Sequence, residues 1–93
     1  MISMDERAQL IVYTNSRIRC PFCIRAKSIL TERSHTFEER DIADPVVLTE
    51  LLEKRPTAKT VPQIFLANDT YIGGCEDLIT MIDKLDLLIE LNT

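Results

Sequence analysis

The chain has no apolar run approaching the ~20 residues that a membrane-spanning helix needs. It shows no internal repeat, no low-complexity tract and no linker, so residues 1–93 read as one domain. A cationic leader start is also missing. The segment "MISMDERAQLIVY" places acids where a signal peptide has cations, and its apolar run is short. Cysteines number three, an odd count that argues against the paired disulfide framework of a small secreted protein. The expected location is therefore a reducing cytosol. A net charge of −4 sets nucleic acid aside as a partner. Glycine occurs only twice, as the adjacent Gly73 and Gly74, and histidine once, as His35.

What remains is an ordinary globular composition. Hydrophobic residues make up 45% and charged residues 28%, too apolar for a disordered chain. The charge is uneven. Residues 17–33 hold five cations and one acid, whereas residues 69–93 hold six acids and one lysine.

Alternation and turn signals give an element order. "QLIVYT" (9–14) is a short β-branched and aromatic run, a buried strand. Pro21 suits the first turn of a helix over 21–33, whose apolar stripe is Phe22, Ala26, Ile29 and Leu30. "HTFEERDI" (35–42) is charged enough for an edge strand. Asp44 caps a second helix that starts at Pro45, buries Val47, Leu48, Leu51 and Leu52, and stops at Pro56. "VPQIFLAN" (61–68) and "TYI" (70–72) form a hairpin around Asn68-Asp69. A last helix, about 75–90, presents Leu78, Ile82, Leu85 and Ile89. The order β-α-β-α-β-β-α implies an α/β domain in which a small mixed sheet has helices on both faces.

The stretch "RCPFCIRAK" (19–27) carries the chemistry. It places Cys20 where the helix over 21–33 begins, beside unpaired backbone N–H groups and the positive end of the helix dipole. Arg17, Arg19, Arg25 and Lys27 add positive potential. Such settings lower a thiol pKa from ~8.5 into the range of roughly 3.5–7.5, so Cys20 is expected to be a nucleophilic thiolate. Cys23, one turn further in, is placed to resolve a mixed disulfide. Packing alone competes poorly with this reading, because a Cys-X-X-Cys pair opening a helix in a βαβ context is a redox signature. A tetrahedral zinc site would need two further ligands, and only Cys75 and His35 remain, far apart and unpaired in motif. No metal is expected.

Two other places stand out. Pro62 begins a strand, which is either ordinary strand entry or a cis bond. "GGCED" (73–77) is either a turn with acids in the first helical turn or a helix N-terminus that binds a carboxylate, with Asp77 free to hold an amine. Spacing does not separate these alternatives. Cys75 reads as a small, partly buried residue.

Taken together, "CPFC", "TVPQIF" and "IGGCEDL", in this order, resemble a dithiol glutaredoxin, and the likeness runs from about Gln9 to Glu90. The resemblance implies a thioredoxin-like fold with Pro62 cis. It implies a glutathione-dependent oxidoreductase, with Cys20 as nucleophile and Cys23 as resolving thiol. Thr60, Val61 and Pro62 would meet the glutathione cysteinyl unit, the Val61 backbone pairing with it as an added strand. Gly74, Cys75 and Glu76 would offer N–H groups to the γ-glutamyl carboxylate, and Asp77 would take its ammonium. Phe22 would flank the tripeptide, and Lys59 would meet the glycyl carboxylate. Implied partners are disulfide-containing or glutathionylated proteins, ribonucleotide reductase among them, acting on a monomer. Relatives that bridge two chains through an iron–sulfur cluster often have CGFS or lack the proline, and Pro21 argues against that role. One departure concerns the loop before Cys20. The family usually has a lysine after "YT" and three residues before the first cysteine, whereas Asn15 to Arg19 make five here. Counting back from Cys20, Arg17 is expected to take the place of that lysine, with Asn15 and Arg19 as the other candidates.

Overall fold

The computed structural model describes residues 8–91; Met1–Arg7, which entered the leader argument, and residues 92–93 lie outside that range. Seven elements follow in the expected order: β1 (Leu10–Thr14), α1 (Pro21–Glu32), β2 (Phe37–Asp41), α2 (Pro45–Lys54), β3 (Gln63–Leu66), β4 (Tyr71–Gly73) and α3 (Cys75–Leu91). The sheet order is β2-β1-β3-β4, with β1 parallel to β2 and antiparallel to β3, and β4 antiparallel to β3. This is the four-stranded mixed sheet of a thioredoxin-like fold.

All five residues of β1 are buried, because the strand is central and helices cover both faces. Its side chains alternate between two cores. Leu10 and Val12 pack with Leu30 of α1 and with Leu78 and Leu85 of α3. Ile11 and Tyr13 pack with Leu51 of α2 and Phe65 of β3. Each fully buried aliphatic side chain contributes about 1.5–3 kcal/mol relative to exposure.

The differences from the sequence expectation have local causes. β2 begins at Phe37 rather than residue 35, because Ser34 adopts φ 62° and the His35 N–H donates to the Leu30 carbonyl at 2.9 Å. It is an edge strand, as its charges imply. β3 begins at Gln63 rather than Val61, since Pro62 has no N–H to add to a ladder. Phe22 is 57% exposed and does not belong to the buried stripe of α1, whose place is taken by Cys23. On α2 only Leu51 is buried, while Leu48 and Leu52 stay 37% and 39% exposed. Asp44 caps α2 as expected, accepting the Val46 N–H at 2.9 Å. The four apolar residues expected on α3 are all buried. A kink interrupts this helix at Met81 (φ −114°, ψ 17°), next to Thr80, whose hydroxyl donates to the Glu76 carbonyl at 3.0 Å. Back-bonding of this kind bends helices.

A polar tie fastens the α1–β2 turn to α3. Arg33 and His35 both meet the Asp86 carboxylate, and Arg33 also meets Asp83. His35 in the first place, and Arg33 after it, hold the Asp86 carboxyl below the usual range. The sign follows directly. A carboxyl depressed in the folded state stabilises above its unfolded pKa, and that stability is lost as pH falls through the lower folded value. Asp86→Asn is therefore expected to flatten the acid limb of stability below pH ~5, where an unfolded aspartate of pKa ~3.9 begins to take up its proton. Parallel acid titrations of parent and variant, followed by circular dichroism, check this; superimposable limbs would contradict it.

Candidate active site

β1 ends at Thr14, and the chain turns through residues 15–19 before α1. Two groups hold this loop. Asn15 Oδ1 accepts the Arg17 N–H, and Asp41 Oδ1, at the end of β2, accepts the N–H groups of Ser16 and Ala43, all at 3.0 Å. Ser16 is the main cause that keeps the Asp41 carboxyl below its ordinary range. Asn15 thus has a structural task in its own turn and brings no charge. Arg17, Ile18 and Arg19 point outward and are exposed.

Cys20 is the N-cap of α1, with Pro21 at the first helical position. Its sulfur is bonded to Cys23 with 5.3 Å between the Cα atoms, and it accepts the Cys23 N–H at 3.2 Å. The expected pairing of these two cysteines is therefore present, in its oxidised form. Cys20 is half-buried, whereas Cys23 is 4% exposed. The Cys20 sulfur also lies 3.7 Å from the Val61 carbonyl oxygen. A disulfide sulfur has no proton to donate, so this is proximity and not a bond.

Two of the cations near the motif also act elsewhere. Lys27 is paired with Glu39 at 3.0 Å, so its charge is largely offset. Arg25 lies on the α3 side, where its charge acts on Cys75.

A cavity of about 370 Å³ opens beside the disulfide. Phe22 walls it on the α1 side, Thr60, Val61 and Pro62 on the strand side, and Gly74, Cys75, Glu76 and Asp77 at the start of α3. Eight of the residues singled out from sequence thus surround one space. The Val61–Pro62 bond is cis. Val61 makes no backbone–backbone hydrogen bond among the described residues, so its N–H and C=O are open to an added strand.

At the other wall the geometry modifies the expectation. Gly74 is the N-cap of α3, and its N–H is already accepted by Asp77 Oδ2 at 3.1 Å. This is the reciprocal half of a capping box, an N3 carboxylate reaching back to the N-cap amide. The donors left for a ligand are the N–H groups of Cys75, Glu76 and Asp77, which have no acceptor within the helix. Cys75 is buried, and burial, opposed by Arg25, pushes its thiol up.

Lys59 and Arg17 fall elsewhere. Lys59 lines a neighbouring cavity of about 210 Å³, which shares Thr60 and Val61 with the first. Arg17 stands on the loop and lines neither.

Two lining residues escaped sequence reasoning. Gln63 is 4% exposed; its amide nitrogen donates to the Thr60 carbonyl at 2.8 Å, and its oxygen accepts the Tyr71 hydroxyl at 2.8 Å. Arg55 then stacks its guanidinium 3.9 Å from the Tyr71 ring centre. The available signal was a polar residue inside an apolar strand, which must find partners when buried.

Comparison with known proteins gives the family and the fold. A family model described as Glutaredoxin matches residues 10–72. Glutaredoxin 3 of Escherichia coli (strain K12) is 38% identical over 74 residues, covering 80% of this chain and 86% of that protein. The solution structure of a glutaredoxin from Brucella melitensis superposes with a TM-score of 0.71 at 37% identity, covering 92% of each chain. A buckwheat glutaredoxin–glutathione complex shares the fold, with a TM-score of 0.68 at 20% identity over 87% of this chain and 74% of that one.

Proposed function

This chain belongs to the glutaredoxin family of thiol–disulfide oxidoreductases, and from that premise we propose that glutathione is its reductant. The observation that carries the reading is the open backbone of Val61. It lies 3.7 Å from the Cys20 sulfur, across the cavity from the N-terminus of α3. A tripeptide with a thiol in its middle residue fits that layout. Its cysteinyl unit pairs with Val61 in extended form and brings its sulfur to Cys20. Its γ-glutamyl carboxylate meets the N–H groups of Cys75 and Glu76, and its ammonium meets Asp77. Lys59 and Arg17 serve the glycyl carboxylate. At about 370 Å³ the cavity is of ligand size.

The exchange then runs in balanced steps. With a glutathionylated protein, the Cys20 thiolate attacks the glutathione sulfur, and the protein leaves as a thiolate. A second glutathione thiolate attacks the Cys20 mixed disulfide, releasing oxidised glutathione and regenerating the Cys20 thiolate. With a protein disulfide, Cys20 attacks one sulfur and Cys23 then attacks Cys20. The protein leaves as a dithiol, and the Cys20–Cys23 disulfide remains, to be reduced by two glutathiones. The helix N-terminus and the Cys23 N–H on the Cys20 sulfur favour the thiolate in both routes. We place this activity in a reducing cytosol, on a monomer, with ribonucleotide reductase as one partner of the disulfide route.

The test is turnover of a small glutathione mixed disulfide with glutathione, glutathione reductase and NADPH. Absence of turnover ends the glutathione reading. Asp77→Asn keeps an acceptor for the Gly74 N–H but loses the charge for the ammonium. Its KM for glutathione is expected to rise roughly tenfold with kcat little changed. An unchanged KM would remove Asp77 from the binding site.

A further inference from the structure

The exchange chemistry assigns no task to Gln63, yet its side chain is engaged at both ends. It opens β3 on the face that carries Tyr13 and Phe65, and it is buried. Its amide nitrogen donates to the Thr60 carbonyl at 2.8 Å and reaches the Thr60 hydroxyl oxygen at 3.3 Å, while its oxygen accepts the Tyr71 hydroxyl at 2.8 Å. A carbonyl can only accept, so the amide cannot be turned round and the Tyr71 hydroxyl is the donor. The Tyr71 ring is braced in turn. Its centre lies 5.2 Å from that of Phe65 and 3.9 Å from the Arg55 guanidinium. Arg55 is the C-cap of α2, makes no ion pair among the described residues, and has a buried Nε without a hydrogen-bond partner. It meets Tyr71 with the flat face of its guanidinium.

Little else holds the strand-side wall of the cavity. Among the described residues, no backbone–backbone hydrogen bond involves residues 59–62. The Gln63 amide is therefore the hydrogen-bonding tether of Thr60 and Val61. The Thr60 carbonyl and the Val61 N–H belong to one planar peptide unit, so gripping the oxygen sets the direction in which that N–H is offered. From this arrangement we infer that Gln63 is a positioning residue. Held by Tyr71, which Arg55 braces, it fixes the Thr60–Val61 peptide in the orientation that an extended thiol peptide pairs with. The inference deepens the glutathione reading and rests on Val61 as the pairing strand. A peptide unit left free would have to be ordered at the moment of binding, and that cost falls on affinity. The pairing is the same before and during sulfur exchange, so its loss is read in KM and not in kcat.

Gln63→Met keeps the length and bulk of the side chain and loses both hydrogen-bonding ends. Nitrogen-15 relaxation, with no glutathione present, reads the Val61 N–H directly. Its order parameter is expected to fall from about 0.85, the value of rigid backbone, to below about 0.6, while the amides of β1 stay rigid. An unchanged Val61 value would overturn the inference, whatever the reductant. In turnover of the small glutathione mixed disulfide, KM for glutathione should rise roughly tenfold with kcat within twofold. Tyr71→Phe keeps the ring and loses the hydroxyl, and Arg55→Lys keeps the charge and loses the plane. Each should raise KM about threefold, and neither should raise it further once Gln63 is Met. An effect that persists in the Gln63→Met background would make Tyr71 or Arg55 a direct ligand contact and overturn the chain of support. Should Gln63→Met fail to fold, Tyr71→Phe carries the same relaxation test, because it frees the far end of the amide. Absence of turnover in the parent would end the glutathione reading alone, since the relaxation measurement needs no cosubstrate.

Discussion

Cys20→Ser is expected to lose at least roughly a thousandfold in turnover of any disulfide substrate, because a hydroxyl at this position is not ionised near neutral pH and forms no exchangeable bond to sulfur. Cys23→Ser should behave differently. It should still remove glutathione from a mixed disulfide, since that route uses one sulfur, and it should fail on protein disulfides. The decisive measurement is mass spectrometry of Cys23→Ser after exposure to oxidised glutathione. One adduct, on Cys20, is the expected result. An adduct on Cys75 alone would overturn the assignment. The structure gives the contrast a physical basis. Cys20 is half-buried at a helix N-terminus and receives an N–H, so its thiolate is favoured and accessible. Cys75 also sits at the start of a helix, but it is 5% exposed and burial pushes its thiol up. A thiol that stays protonated and enclosed is a poor nucleophile, whatever its place in the helix.

The same pair shows which features can be read from sequence. Helix N-termini are legible, because Pro21, Pro45 and the Gly73-Gly74 step mark them. Burial at a terminus is not, since it depends on what packs from elsewhere. Phe22 makes the point from the opposite side. Helical spacing put it on the apolar stripe of α1, yet it is exposed at the mouth of the cavity, and Cys23 takes the core position. Spacing predicts a face to within one residue. Which neighbour of a pair turns inward is set by how the helix sits on the sheet.

α2 shows a further limit. Four apolar residues at helical spacing were expected to be covered, but only Leu51 is fully buried. The alternate residues of β1 and β3 on that side present Ile11, Tyr13 and Phe65, and one helix alone lies over them. On the other face α1 and α3 pack together, and every apolar residue expected on α3 is buried. Sequence patterning counts apolar residues without counting the surface available to cover them. The smaller cavity beside Lys59 arises from that imbalance, as does the unforeseen neighbourhood of Ile18 with Leu48 and Leu52. Gln63 is a long-range case of the same kind. The Thr60 carbonyl is three residues away in sequence, but the Tyr71 hydroxyl reaches Gln63 only because the β3–β4 hairpin folds back.

Gly73→Ala is expected to damage stability and binding together, and the two losses can be separated. Gly73 adopts φ +130°, a conformation that residues with a Cβ rarely reach, and enforcing it costs about 1–3 kcal/mol. A Cβ built there would also stand 2.4 Å from Asp77 Oδ2 and 2.6 Å from Asp77 Cβ. Side chain and carboxylate cannot share that space, so Asp77 must give up either its bond to the Gly74 N–H or its place at the cavity. Gly74, by contrast, would put a Cβ 3.5 Å from the Pro62 carbonyl oxygen, an ordinary contact. Hence Gly73→Ala should lower Tm by roughly 4–24 °C, at 4–8 °C per kcal/mol for a domain of this size. It should also raise KM for glutathione. Gly74→Ala should lower Tm far less. The double variant Gly73→Ala with Asp77→Ala removes the clash with the carboxylate but leaves the 2.6 Å approach to the Cβ of residue 77 and the strain at φ +130°. It should recover part of the lost Tm and none of the glutathione affinity, a coupling that a double-mutant cycle reads directly. Strictly additive losses in Tm would show that Gly73 and Asp77 do not compete for one space. The adjacent glycines are therefore unequal in task. Gly73 leaves room for the carboxylate, and Gly74 offers that carboxylate the N–H that holds it at the mouth of the cavity.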